Sequence, residues 1–325
     1  MRKLLILLLP IVCLILFYFT ITSLVKVFRA DAAIPPEPEA ESSEYRLVLI
    51  TQELNTPFWN KVEAGAMAAA RRSGAVLEVW GSYGMNQEEF LKKMEIAIAS
   101  KVNGIIAQGL DTDDFNRLIS VKAAENGIPV ITVANDAPGS LRRTYVGSDH
   151  YKAGQMIGRQ LLADMGDAGT VVLLKSDRQE DYQSQREKGI LNVLDVKAHP
   201  NLRIVTAATD STRDKVIRMM NDVLNLHPNA DAFISLTAGN TSAMVQAIDN
   251  RSQAEKDFIY SFDDSPETRE LLRRHKIDAL IQQSPEKVGE LSVNLMVQWL
   301  KGQTVPLNYR GYFTNMRILK AENIG

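Results

Sequence analysis

Residues 46–80 read RLVLITQELNTPFWNKVEAGAMAAARRSGAVLEVW, and this stretch decides the fold class. Arg46 to Ile50 is a short aliphatic run of strand length, and Ala75 to Trp80 is a second. Between them, Pro57 suits the first turn of a helix, where a missing amide hydrogen removes no intrahelical bond. A strand, a helical crossover and another strand make the unit from which parallel sheets are built.

The same alternation continues along the chain. Further strands are expected at Gly104 to Gln108, Val130 to Val133, Thr170 to Leu174, Arg203 to Ala207, Ala232 to Leu236, Phe258 to Ser261 and Ala279 to Gln282. Helical spacing separates them: Phe90, Met94, Ala97 and Ile98 mark one apolar stripe, and Val216, Met219, Met220 and Leu224 another. Nine strands divide economically into a half ending near Gly147 and a half beginning near Asp149, so the expected architecture is α/β with two doubly wound lobes. No sequence repeat links the halves, although they can share a topology.

Upstream, Leu4 to Val25 runs without a formal charge, long enough at about 1.5 Å per residue to cross a hydrocarbon core of ~30 Å. Residues 1–28 are therefore expected to hold one N-terminal transmembrane helix, with Arg2 and Lys3 inside and the rest of the chain outside. A cleaved signal remains the alternative, because Ala30-Asp31-Ala32 offers a small-residue site. Residues 29–44, with Pro35-Pro36-Glu37-Pro38, have the composition of a linker.

Composition excludes several functions. The net charge of -2 provides no basic field for nucleic acid. The single cysteine, Cys13, allows no disulfide within the chain. His150, His199, His227 and His275 lie far apart and form no metal-ligand pattern, so no metal or cofactor is expected. The first strand is followed by no dinucleotide fingerprint, and neither a nucleophile elbow nor a phosphate-binding loop appears, which argues against an enzyme.

In open parallel sheets a ligand sits beyond the carboxyl ends of the strands, so the residues just after each strand are the candidates. After the first come Phe58 and Trp59, whose faces can stack on a sugar ring; neighbouring helical residues point about 100° apart, so one can pack inward while the other lines the cleft. After the fourth come Asn135 and Asp136, either ligand groups or an ordinary turn. In the second half, Arg186 near the opening of a helix can donate several fixed hydrogen bonds. Asp263 after Ser261-Phe262 can accept two vicinal hydroxyls, while Asp264 or Ser265 before Pro266 reads as a helix cap. Gln283 after the last strand can both donate and accept.

The aromatic pair at 58–59, Arg-x-x-Gly at 186–189, Ser-Phe-Asp at 261–263 and Gln-Gln-Ser-Pro-Glu-Lys-Val-Gly at 282–289 together resemble the ribose-binding-protein branch of the type I periplasmic binding proteins. The resemblance runs from Tyr45 to about Thr314. It implies two Rossmann-like lobes joined by three hinge strands, with residues 45–148 plus 285–302 in the first and 149–284 plus 303–325 in the second. It also implies a sugar or polyol ligand held by Phe58, Trp59, Arg186, Asp263 and Gln283. Ribose binders carry Asp-Arg after the fourth strand, where this chain has Ala134 and Asn135 followed by Asp136. Ser211 or Thr212 stands in place of an aromatic, and Thr237 and Asn240 substitute for another polar pair.

Proteins of this kind deliver solutes to an ABC permease or report occupancy to a membrane sensor such as a histidine kinase. An uncleaved anchor through residues 4–25, placing the binding domain outside the cell membrane, favours the sensor. A LacI-type repressor would need a helix-turn-helix where the hydrophobic run stands.

Overall fold

A computed structural model describes residues 15–21, 45–177, 180–251 and 257–324. Residues 15–21 are helical and exposed. Most of the expected membrane span at 4–25, and all of the linker at 29–44, lie outside the described residues; among those described, no helix is long and apolar enough to cross a membrane. Residues 1–43 and 44–325 form separate units, and the second carries both sheets.

Each of these sheets has six strands. In the first, β1 (Arg46–Thr51), β2 (Val76–Gly81), β3 (Gly104–Gln108), β4 (Val130–Val133) and β5 (Thr144–Gly147) are joined by a late β11 (Tyr312–Phe313), in the order β11-β5-β4-β3-β1-β2. In the second, β6 (Ala168–Ser176), β7 (Asn201–Thr209), β8 (Ala232–Ser235), β9 (Phe258–Phe262), β10 (Ala279–Gln282) and β12 (Arg317–Leu319) take the order β12-β10-β9-β8-β6-β7. The two orders are the same path drawn twice, a repeat of topology without a repeat of sequence. Pairing is parallel throughout except for β12, which runs antiparallel to β10.

Strands covered on both faces need apolar residues at every position. In β1, Leu47 and Leu49 face one core while Val48 and Ile50 face the other. In β6, Val172 and Leu174 face one side while Val171 and Leu173 face the opposite side. Each of these residues is fully buried, a burial worth roughly 1.5–3 kcal/mol per side chain.

Helices α1 (Pro57–Ser73) and α9 (Pro285–Leu300) cover one face of the first sheet; α4 (His150–Met165) and α5 (Asp181–Val193) do the same for the second. Both pairs meet through reciprocal glycines. A Cβ on Gly289 would lie 1.9 Å from the Val62 carbonyl oxygen, and one on Gly65 1.9 Å from that of Glu286. A Cβ on Gly189 would lie 2.1 Å from the carbonyl of Tyr151, and one on Gly154 2.1 Å from that of Arg186. Gly189, the glycine of the Arg-x-x-Gly motif, thus serves the helix contact. The opposite faces carry α2 (Gln87–Ala99) and α3 (Asp113–Arg117) in the first lobe, and α6 (Arg213–Leu226) and α7 (Ala238–Asp249) in the second. A short α8 (Pro266–Arg273) completes the second lobe, opened by a capping box of Ser265 and Thr268.

The nine expected strands are present, and the sequence reading missed β5, β11 and β12. The chain crosses between lobes after β5, after β10 and between β11 and β12. One boundary needs correction. Residues 303–325 were expected in the second lobe, yet Leu307 packs in the first core, Tyr309 lies over Arg142 and β11 pairs with β5. Only the segment from β12 onward belongs to the second sheet. A two-residue strand carries no periodicity from which this could be read.

Candidate functional site

The carboxyl ends of both sheets open onto one cavity of about 510 Å³. From the first lobe it is lined by Glu53, the start of α1, Gln108 at the end of β3, and Ala134-Asn135. The second lobe contributes Glu180, Tyr182, Arg186, Thr237 and Asp263, while Gln283 comes from the second crossing.

Arg186 is the pivot of the second-lobe side. It lies in the second turn of α5, which begins at Asp181. The side chain is 1% exposed, sits 4.4 Å from the Phe262 ring centroid and 4.8 Å from that of Tyr182. Its Nη1 donates to the Leu236 carbonyl at 2.7 Å, and its two Nη atoms reach the Asp263 carboxylate at 3.2 and 3.1 Å. A guanidinium so far from water needs that counter-charge. Asp263 in turn accepts from Gln283 Nε2, and Gln283 accepts from Ser148 Oγ, so the cavity-facing carboxylate is tied to two of the lobe crossings. Ser284 stands at the N-cap of α9 without a side-chain cap bond; its hydroxyl donates to the Asn315 carbonyl at 2.8 Å and links the third crossing to the second.

Two residues that end equivalent strands hold left-handed backbone: Ala134 after β4, φ 63°, and Asp263 after β9, φ 71°. Asp tolerates this region better than most residues. Such a turn directs the following peptide away from the strand, and both positions line the cavity.

Asn135 fastens the lobes together. Its Nδ2 donates to the Gly109 carbonyl at 3.0 Å and to Glu180 Oε2 at 3.0 Å, and its Oδ1 accepts from the Tyr182 amide at 3.3 Å. Burial, then the charge of Glu53, pushes the Glu180 carboxyl up to about 8. Burial likewise raises Glu53, opposed by a 3.1 Å hydrogen bond from Trp59 Nε1 and reinforced by the charge of Asp263. His150 is held down to about 3 by burial and by the Arg186 charge, so its ring is neutral.

The aromatic pair divides its labour as the helical geometry anticipates. Trp59 is 3% exposed and packs in the first core, while half-buried Phe58 stands edge-on to it, centroids 5.7 Å apart at 81°. Both border the cavity. Thr237, preceding α7, lines it as well.

Two expected site residues do not line the cavity. Asp136 turns away and binds Arg142 bidentately, Nη2 at 2.6 Å, while accepting from Thr132 at 2.8 Å; the pair pins the 137–143 loop, and Arg142 also donates to the Tyr309 carbonyl at 3.0 Å. The left-handed turn at Ala134 is the reason, since it sends Asn135 and Asp136 to opposite sides. Asn240 lies within α7, fully buried, and donates to Ser211 at 3.2 Å. Conversely, the sequence reading passed over Glu53, Gln108, His150, Glu180 and Tyr182. Glu53, Gln108, Glu180 and Tyr182 end or follow a strand and were legible by that rule; His150 follows β5, a strand too short to be read from the sequence.

Residues 47–304 match the family model described as a periplasmic binding protein domain. The chain belongs to that family. Its similarity to a glucose-galactose binding protein of Geobacillus stearothermophilus reaches 32% identity with a TM-score of 0.80, over 86% of this chain and 98% of that one. The XylFII protein in its complex with LytSN is 26% identical, TM-score 0.76, over 86% and 99%. The ribose import binding protein RbsB of Bacillus subtilis strain 168 is 25% identical over 279 residues, covering 83% of this chain and 86% of the relative.

Proposed function

We propose that this chain is an extracytoplasmic receptor for a sugar or polyol, which closes its two lobes on the ligand and reports occupancy to a membrane sensor such as a histidine kinase. The observation carrying this reading is the Arg186–Asp263–Gln283 network at the cavity wall, opposite Phe58 and Asn135 of the other lobe. A carboxylate accepts vicinal hydroxyls, a guanidinium and an amide donate to them, and the Phe58 ring offers a face to the C–H side of a sugar. Ligand contacts from both lobes favour the closed arrangement over the open one. The named ligand of the Geobacillus relative supports the class.

The hydrophobic run at 4–25 serves in this reading as a single-pass anchor in the cell membrane. Similarity to XylFII, which forms a complex with LytSN, supports the sensor role. Similarity to RbsB, a ribose import binding protein, supports a second role as the binding component of an ABC importer. The mass of the mature chain separates them: an intact N-terminus is expected for the anchored sensor, and cleavage after Ala32 would favour the importer.

The receptor reading is tested by thermal unfolding of the full chain in mild detergent against pentoses, hexoses and polyols. A true ligand at a hundredfold excess over Kd stabilises by about 2.7 kcal/mol. An unchanged melting temperature across the whole panel would refute it.

A further inference from the structure

Among the described residues, five carboxyl groups line the cavity, those of Glu53, Glu180, Asp263, Asp264 and Glu267, against two cations, Lys61 and Arg186. Asp263 is paired with Arg186 and Asp264 with Arg269, which leaves Lys61 as the one lining cation outside an ion pair among the described residues, against Glu53, Glu180 and Glu267. Glu53 and Glu180, which face the same cavity from opposite lobes, make no ion pair among the described residues; each carboxylate accepts a hydrogen bond from a neutral donor, the Trp59 indole and the Asn135 amide respectively. His150 supplies an independent observation. It lines the same cavity at 8% exposure, and its Nε2 stands 2.8 Å from the Ala134 carbonyl, so Nε2 carries the hydrogen and Nδ1 presents a bare lone pair. That Nδ1 is buried without a partner among the described residues.

A group that only donates and carries positive charge complements this wall better than a hydroxyl, which brings one hydrogen and no charge. Building on the receptor reading above, we propose that the ligand is an amino sugar or amino polyol, whose ammonium group is received by Glu53 and Glu180 between the lobes. Its hydroxyls are left to Arg186, Asp263 and Gln283. Arg186 Nε, a buried donor without a partner among the described residues, faces the opposite demand, for an acceptor, and so belongs to the hydroxyl-binding side. Because the two glutamates come from different lobes, an ammonium group between them lets both carboxyls face one another ionised, where the ligand-free site relies on a proton at Glu180.

The test compares glucosamine and galactosamine with glucose, galactose and their N-acetylamino derivatives, by calorimetric titration of the full chain in detergent. The expected result is at least one amino sugar binding ten times tighter than its neutral counterparts, with that preference falling about tenfold in Glu180→Gln and in Glu53→Gln. Both variants keep the side-chain shape, and cooperative thermal unfolding near the parent's melting temperature reports that they are folded. Neutral sugars binding as tightly as amino sugars would overturn the proposal and leave the receptor reading standing. Binding of no compound would overturn both.

Discussion

Asp263→Asn isolates the charge that holds Arg186. The amide keeps the shape of the carboxylate and tolerates the left-handed backbone at φ 71°, so the change removes a counter-charge and little else. In the native protein Arg186 is 1% exposed, and its guanidinium has the Leu236 carbonyl at 2.7 Å as its other hydrogen-bond partner. Breaking a buried ion pair costs about 3–5 kcal/mol. The 24% exposure of the Asp263 side chain, and the acceptor oxygen that Asn retains, place this case lower, at about 2–3 kcal/mol. With roughly 2–4 °C per kcal/mol in domains of about 150–250 residues, and less in larger ones, the ligand-free melting temperature is expected to fall by about 4–8 °C. Calorimetric unfolding without sugar measures this directly. Asp263→Ala should cost about 1 kcal/mol more, for placing alanine in a left-handed turn. Pairing Asp263→Asn with Arg186→Met should recover most of the loss, because the orphaned charge is gone. A melting temperature within 1 °C of the parent for Asp263→Asn would refute the reasoning, since Arg186 would then not depend on Asp263 in the free protein.

Three other outcomes are expected. Trp59→Ala should lower stability by about 3–5 kcal/mol, as a large side chain leaves the first core, whereas Phe58→Ala should spare stability and weaken ligand affinity about tenfold; unfolding and titration of the two variants separate these effects. The Glu180 carboxyl rises from an ordinary 4.5 to about 8, so the closed form holds a proton that the solvated group has lost; closure is therefore fully supported below about pH 4.5 and weakens as pH rises towards 8. Scattering measured from pH 5 to 8 should show a growing radius of gyration that Glu180→Gln abolishes, and an identical profile in the variant would contradict this. Gly289→Ala should destabilise by about 1–3 kcal/mol on chemical unfolding, because its Cβ meets the Val62 carbonyl at 1.9 Å and α1 and α9 must part.

Much of the architecture was legible because fully covered parallel strands are written as continuous aliphatic runs: Leu47 to Ile50 and Val171 to Leu174 have no polar alternative. The three missed strands are short, and Tyr312–Phe313 becomes a strand only because β5 offers it an edge. In the site, Arg186, Asp263 and Gln283 were readable because position after a strand coincides with chemistry suited to hydroxyls. Asp136 was misplaced for a backbone reason, the positive φ at Ala134, which side-chain chemistry does not reveal. Asn240 was misplaced because it lies beyond the start of α7, where a turn of helix carries it out of the cleft. Glu180 stands closer to the end of β6 than Arg186 does and carried the same positional signal, whereas His150 follows β5, which was not read, and its meaning depends on the crossing there.

The central claim is that one sugar binds between the lobes at the Arg186 wall. Titration calorimetry of the parent chain and of Arg186→Met, using whichever sugar raises the melting temperature, tests it most directly. One site per chain is predicted in the parent, with affinity at least a hundredfold weaker in the variant while its unfolding remains cooperative. Equal affinity in the two proteins would place the sugar elsewhere and contradict the account.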